Sequence, residues 1–203
     1  MSVAVVFGHD GKLRCHWCLA TPQYCQYHDT EWGFPVADDR RLFEKLSLEG
    51  FQAGLSWRTI LEKREHFRKA FDEFDFTRIA NYTHDDFERL MNEPGIVRHR
   101  GKIAAVINNA QRAQDLVASE GSIARFVWRY AVDAHSSDAA AAARATSPES
   151  AALSEELKKR GWKFVGPTTV YSFMQAMGLV NDHAPECEFR AEVEAARRAF
   201  VVP

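Results

Sequence analysis

The chain has 203 residues, 46% of them hydrophobic, enough for one well-buried core or two small lobes. Its net charge of −2 excludes a global basic field, so any contact with a polyanion must rest on local patches. No run of about 18 apolar residues occurs, which argues against a membrane span, and four cysteines without a secretory signal point to reduced thiols or metal ligands in the cytoplasm rather than disulfides.

Residues 1–13 (MSVAVVFGHDGKL) hold a short apolar stretch without a basic start, and they read as a dispensable extension rather than a signal peptide. Beyond them the apolar spacing is helical almost throughout. Leu42, Phe43 and Leu46 share one face; Trp57, Ile60, Leu61, Phe67, Phe71 and Phe74 make another; Phe87, Leu90 and Met91 a third. A long stripe runs from Ile103 to Val117, and a shorter one from Ile123 to Tyr130. Asp38, Ser56, Thr83 and Ser122 stand where N-caps are needed. Ser147-Pro148-Glu149 combines a cap, a first-turn proline and an acid that the helix dipole favours. The Ala-rich tract from Ala139 to Ala145 reads as a surface connection, and the stretch from Ala191 to Phe200 as either a last helix or a disordered tail. No stretch alternates with period two, so the expectation is an all-α fold of about eight to ten short helices and no sheet.

Within this pattern, Glu49 is the single charge in the run from Leu46 to Trp57. An ionised acid in apolar surroundings is costly unless something pairs with it. With Trp57 nearby and Tyr24 and Tyr27 upstream, the acid suits a flat, nitrogen-rich ligand such as a nucleobase. The plainer alternative is a helix-end Glu that caps a backbone group or salt-bridges an arginine.

The segment from Leu157 to Met174 places a basic helix end, Lys158-Lys159-Arg160, before Gly161, then a short turn, then a second helix opening after Gly166 with Pro167 first. Free N–H groups at that opening form an anion site, and Lys163 in the turn adds charge for a DNA backbone. The pattern looks like a helix-hairpin-helix element; an ordinary helical corner with solvated lysines is the alternative. A second basic turn, Pro94-Gly95-Ile96 followed by Arg98-His99-Arg100-Gly101-Lys102, ranks behind it.

Two tetrahedral metal sets can be drawn. One is local: Cys15, Cys18, Cys25 and His28. The other is dispersed: Cys15 and His28 with His183 and Cys187, which would staple the two chain ends together. Spacing favours the local set, and neither leaves a position for a reactive water.

Several ordered motifs resemble the DNA-3-methyladenine glycosylase I family. They are Arg14-Cys15-His16-Trp17, the stretch from Tyr24 to Gly33, the stretch from Leu48 to Trp57, the stretch from Gly95 to Ile103, and the hairpin running on to His183. The resemblance covers about Arg14 to Cys187. It implies a helix-hairpin-helix glycosylase fold, with two helical lobes over 14–188, the base pocket between them and a tail over 189–203. It implies a structural zinc on Cys15, His28, His183 and Cys187, joining the N- and C-terminal segments, with Cys18 and Cys25 as bystanders. It implies base excision repair: a monomeric enzyme hydrolysing the N-glycosidic bond of 3-methyladenine in double-stranded alkylated DNA. Glu49 is the catalytic residue on that basis, and Tyr24, Tyr27, Trp57 and Trp17 wall the base. Gly54 and Leu55, in a loop suited to fill the gap left by the flipped base, join Lys163, Gly166 and Thr168 as DNA contacts. Pro167-Thr168-Thr169 offers no amine nucleophile, which makes the enzyme monofunctional. Asp182 is expected to orient a ligand or cap a helix rather than to act in catalysis. The competing classes are a non-catalytic helix-hairpin-helix DNA-binding module and a metal-dependent phosphohydrolase; the latter needs open coordination sites that a two-cysteine set does not leave.

Overall fold

A computed structural model describes residues 5–132 and 144–203. Most of the Ala-rich tract lies outside the described residues. Eleven α-helices are present among the described residues, slightly more than the sequence suggests, because short segments break where continuous faces were expected. The face assigned to residues 57–74 is the clearest case. It divides into α3 (Trp57–Glu62), α4 (Arg64–Ala70) and a single 3-10 turn (Asp72–Phe74) whose residues have positive φ. All six of its apolar residues are nevertheless buried, and Phe51, Phe67, Phe71 and Phe74 stack with successive ring centroids 4.6, 6.4 and 5.6 Å apart.

The centre of the molecule is α2 (Asp39–Gln52), opened by the Asp38 carboxylate on the Arg41 amide. Every residue from Leu42 to Phe51 is buried. Enclosure on all sides also buries three charged residues, Glu44, Lys45 and Glu49, and each is ion-paired: Glu44 with Arg68, and Lys45 with Glu49. It packs on α10 (Pro167–Ala176), on the 21-residue α7 (Arg100–Glu120) and on α8 (Ile123–Val127). The caps foreseen at Ser56, Ser122 and Ser147 accept from the backbone as expected, and Thr83 forms a capping box with Asp86 over α6 (His84–Met91).

One finding corrects the sequence reading and a second decides between its alternatives. The first is a two-stranded antiparallel sheet, β1 (Val5–Phe7) with β2 (Leu13–Cys15), in the register Val5 to Cys15, Val6 to Arg14 and Phe7 to Leu13. The expectation of no sheet fails because three-residue strands are too short to show alternation. The Asp10-Gly11 pair between two apolar runs was the available signal. The extension is therefore joined to the domain: Arg14 bonds both Asp10 and Asp29, and the Glu188 carboxylate accepts from the Leu13 amide. The second concerns the C-terminal segment, which is an ordered helix, α11 (Phe189–Ala199). It buries Phe189 and Val193 and is tied by Arg197 to the carbonyls of Gly178 and Val132. No helix among the described residues is long and apolar enough to cross a membrane.

Candidate functional site

Three features mark the site. The first is an aromatic cluster around Glu49 of α2. Glu49 is 4% exposed. Its surroundings are Tyr24 and Tyr27 from α1 (Pro22–Thr30) and Trp57, the first residue of α3. Tyr27 lies 5.5 Å from Trp57 and 6.4 Å from Tyr24 between ring centroids, and Trp17 lies 4.9 Å from Tyr24. Burial pushes the Glu49 carboxyl above its ordinary value, against the pull of a neighbouring cation. Burial and the Glu49 charge raise Tyr24 to about 12 and push Tyr27 well above its ordinary value, so both phenols stay protonated. The Trp57 indole N–H is buried without a hydrogen-bond partner, a costly state that an acceptor on a bound ligand would relieve.

Sequence reasoning missed the cation. Lys45, also buried, reaches one turn along α2 and donates to Glu49 Oε1 at 2.8 Å and to the Tyr27 hydroxyl at 2.9 Å. The i,i+4 spacing to Glu49 was a legible signal; it lies one residue before the apolar run. The ion pair foreseen as the plainer alternative for Glu49 is thus present, with a lysine in place of an arginine, and it lies inside the aromatic enclosure.

The second feature is the hairpin. Helix α9 (Pro148–Lys159) ends at Gly161, whose φ of +83° suits glycine. Helix α10 opens at Gly166 with Pro167 first, and a Cβ at Gly166 would meet nothing within 4 Å. Thr168 is exposed in that first turn and Lys163 in the connecting turn. The turn is pinned from α7: Asn109 accepts from the Lys163 amide at 2.8 Å and donates to the Lys163 carbonyl at 2.9 Å, while Asn108 donates to the Gly161 carbonyl. The second basic turn, ranked behind this one, stands beside it. His99, the N-cap of α7, lies 6.4 Å from the exposed Phe164 ring; Arg98 and Arg100 flank it and are exposed, Arg100 resting against Glu88 and Phe87 of α6. The loop after α2 completes this face. Gly54 has φ +80° with open space around it, and Leu55 is 43% exposed. Lys102 donates to the Phe51 and Ala53 carbonyls, closing the C-terminal end of α2 and lining one cleft with Lys163 and Phe164.

The third feature is a cluster of four buried donors, Cys15, His28, His183 and Cys187, with ligand atoms all within 4.8 Å of one another. Tetrahedral zinc with sulfur at ~2.3 Å and nitrogen at ~2.0 Å places donors about 3.3–3.8 Å apart. Cys187 Sγ lies 3.5 Å from both His28 Nε2 and His183 Nδ1, and Cys15 Sγ 3.9 Å from His183 Nδ1. The remaining ring nitrogens are held from outside, His28 Nδ1 by Asp29 at 2.8 Å and His183 Nε2 by the Trp32 carbonyl at 3.1 Å. Such support directs the other nitrogens at a metal. Hydrogen bonds from Cys15 and both imidazoles favour the thiolate of Cys187. The donor set fits a closed tetrahedral ion without a further ligand. Cys18, buried and raised to about 12 chiefly by that burial, and half-buried Cys25 stand outside it, so the local set favoured by spacing is not the one brought together. Asp182, next to His183, is buried and accepts at one oxygen from the Tyr171 hydroxyl and the Gln175 amide.

A profile of methyladenine glycosylases matches residues 17–191. The chain belongs to the methyladenine glycosylase family. Among curated relatives, DNA-3-methyladenine glycosylase 1 of Escherichia coli (strain K12) is 47% identical over 178 residues, 86% of this chain and 95% of the relative. A solved 3-methyladenine DNA glycosylase I superposes with a TM-score of 0.79 at 49% identity, covering 86% of this chain and 98% of its own. A substituted form of 3-methyladenine DNA glycosylase I, solved in complex with 3-methyladenine, gives 0.78 at 39% identity, covering 84% and 94%. The mostly helical architecture is that of these family members, and the pocket, the hairpin and the four-donor cluster all fall within the matched span or at its edge.

Proposed function

We propose that the protein is a monofunctional DNA glycosylase of base excision repair, hydrolysing the N-glycosidic bond of 3-methyladenine in double-stranded alkylated DNA. The observation that carries this reading is the buried Glu49 carboxylate enclosed by Tyr24, Tyr27 and Trp57, with an unpartnered indole donor beside it. A glycosylase must extrude its base at a cost of a few kcal/mol, and methylation at N3 lowers that cost by weakening pairing and stacking. Leu55, exposed beside flexible Gly54, is suited to fill the vacated gap. The opening of α10 at Gly166 and Thr168, with Lys163 nearby, supplies N–H groups and charge for the strand.

In the pocket, the tyrosines, Trp57 and Trp17 offer stacking worth about 1–3 kcal/mol per aromatic contact. Ionised Glu49 is an acceptor only, and it would take a hydrogen bond from the exocyclic amine of adenine. A base alkylated at N3 is positively charged and already a good leaving group. The protein therefore supplies recognition and positioning rather than strong acid–base chemistry. Water attacks the sugar carbon as the bond to the base breaks, and the electron pair leaves with the base. The first turn of α10, Pro167-Thr168-Thr169, offers no amine for lyase chemistry.

The metal is proposed to be zinc, held by Cys15, His28, His183 and Cys187; bound there it contributes folding free energy and no reactive water. Incubation with methylated duplex DNA and chromatography of the released bases tests the reading. Release of 3-methyladenine by the wild type and its loss in Glu49→Gln support it. No release by the folded wild-type protein would leave a DNA-binding module without chemistry.

A further inference from the structure

Lys45 has no part in the recognition scheme above, yet it lies within the aromatic enclosure, against Glu49, Tyr27 and Trp57. It is 5% exposed. Its ammonium bonds Glu49 at 2.8 Å and Tyr27 at 2.9 Å. On another side it lies 3.1 Å from the Trp57 ring centroid. A base stacked between the indole and the ammonium would need two van der Waals contacts of ~3.5 Å, about 7 Å in all, so both cannot use this face together. The partners Lys45 holds are those an alkylated adenine requires: an acidic acceptor, a phenol and an indole face. A small cation resides where a larger, flat cation is to be recognised.

We propose that Lys45 is a specificity-determining plug of the base pocket: its ammonium holds Glu49 and the Trp57 face in the free enzyme, and a base enters only by displacing it. The proposal rests on the base-recognition role given to this pocket. Displacement deprives buried Glu49 of its positive partner. A base cationic at the moment of excision replaces that charge, whereas neutral adenine does not, so the plug selects for charged lesions in addition to any selection by shape.

Protonation gives a second handle. The groups around Lys45 are Glu49 on its own helix, Tyr24 and Tyr27 from α1, Glu31 just after α1, and Arg64 from α4. Burial lowers Lys45 to about 8. The tyrosines are raised, Glu31 is lowered by Arg64 and Arg64 itself is raised. Between pH 7 and 9.5, Lys45 is thus the member of this set that loses its charge, and rising pH only favours ionised Glu49.

The test is calorimetric titration of the wild type and Lys45→Met with free 3-methyladenine, at pH 7 and at pH 9.5. Lys45→Met is expected to bind at least tenfold more tightly at pH 7, with the gap narrowing at pH 9.5 as the wild-type amine releases Glu49. Equal or weaker binding by Lys45→Met at pH 7, or a gap indifferent to pH, overturns the proposal. Lys45→Gln, which keeps a polar end without charge, serves if Lys45→Met does not fold. Release of 3-methyladenine from alkylated DNA by the wild type is followed alongside; its absence would count against the function of the pocket, not against the plug.

Discussion

Lys102 gives the sharpest separation between the pocket and the DNA-facing loop. Its ammonium donates to the Phe51 carbonyl at 2.8 Å and to the Ala53 carbonyl at 2.5 Å, closing the end of α2 from which Gly54 and Leu55 project. In Lys102→Met both bonds are lost, but the two losses are unequal. Ala53 is exposed, so water can replace the lysine there. Phe51 is 1% exposed, and its carbonyl is left without that donor. One charge-assisted bond to a buried acceptor is worth about 1.5–3 kcal/mol, and some is recovered because burial already lowers the Lys102 pKa, a sign that its charge is poorly solvated. A net loss of about 1–3 kcal/mol corresponds to a fall in Tm of roughly 2–12 °C for a chain of this size. Urea or thermal unfolding measures that term. The functional readout is a pair: excision from methylated duplex should fall by about tenfold, equivalent to ~1.4 kcal/mol, as the loop loses its fixed position. Affinity for free 3-methyladenine should stay within about twofold, because Glu49 and Trp57 are untouched. An unchanged Tm, or a parallel fall in free-base binding, would refute the assignment of Lys102 as the support of the loop.

Glu49→Gln should reduce 3-methyladenine release by about a hundredfold or more, as for other positioned recognition groups, while affinity for undamaged duplex stays nearly unchanged; release at the wild-type rate refutes the base-recognition role. His183→Ala should lower both bound zinc and Tm. Retention of a full equivalent, with loss instead in Cys18→Ser, would restore the local cysteine set. Lys45 also makes stability pH-dependent. Its folded-state value of about 8 lies below the unfolded 10.5, so above about pH 8 the unfolded chain binds more protons and stability rises with pH. Relative to Lys45→Met, the wild type should gain about 1 kcal/mol or somewhat more per pH unit from pH 8 to 10. Denaturant melts across that range check the slope, and a wild-type curve parallel to that of the variant removes the buried-ammonium account.

Local signals were legible wherever they act over a few residues. Asp38, Ser56, Thr83, Ser122 and Ser147 were readable as caps because capping is a short-range hydrogen bond. The hairpin was readable because Gly161 and Gly166-Pro167 punctuate it. Periodicity could not show where a face is interrupted without losing its burial, as at Lys63 and Asp72, where the chain turns but Phe67, Phe71 and Phe74 remain in one stack. The β-hairpin was hidden by strands of three residues each. The metal cluster could not be derived from spacing, because its donors are brought together by residues 168 positions apart; the family resemblance, not the local pattern, pointed to it. Lys45 was legible as a charge four residues from Glu49, but nothing in a single sequence says that two such residues turn inward on a fully enclosed helix.

The metal cluster and the base pocket are not independent structures. His28 belongs to the same helix as Tyr24 and Tyr27, and the Trp17 ring packs at 5.2 Å on His28 and at 4.9 Å on Tyr24. Helix α1 has nine residues, too short to be stable alone, so its position depends on tertiary contacts. Cys15 fastens the chain just before it, while His183 and Cys187 come from the segment between α10 and α11. An ion joining these four would fix α1 against the C-terminal segment and thereby set the distance of Tyr27 from Trp57 and Glu49. A purely remote staple would leave base affinity untouched on chelation at a temperature where the protein stays folded. A staple that holds one wall of the pocket predicts that affinity for 3-methyladenine falls in step with bound metal and returns when zinc is restored.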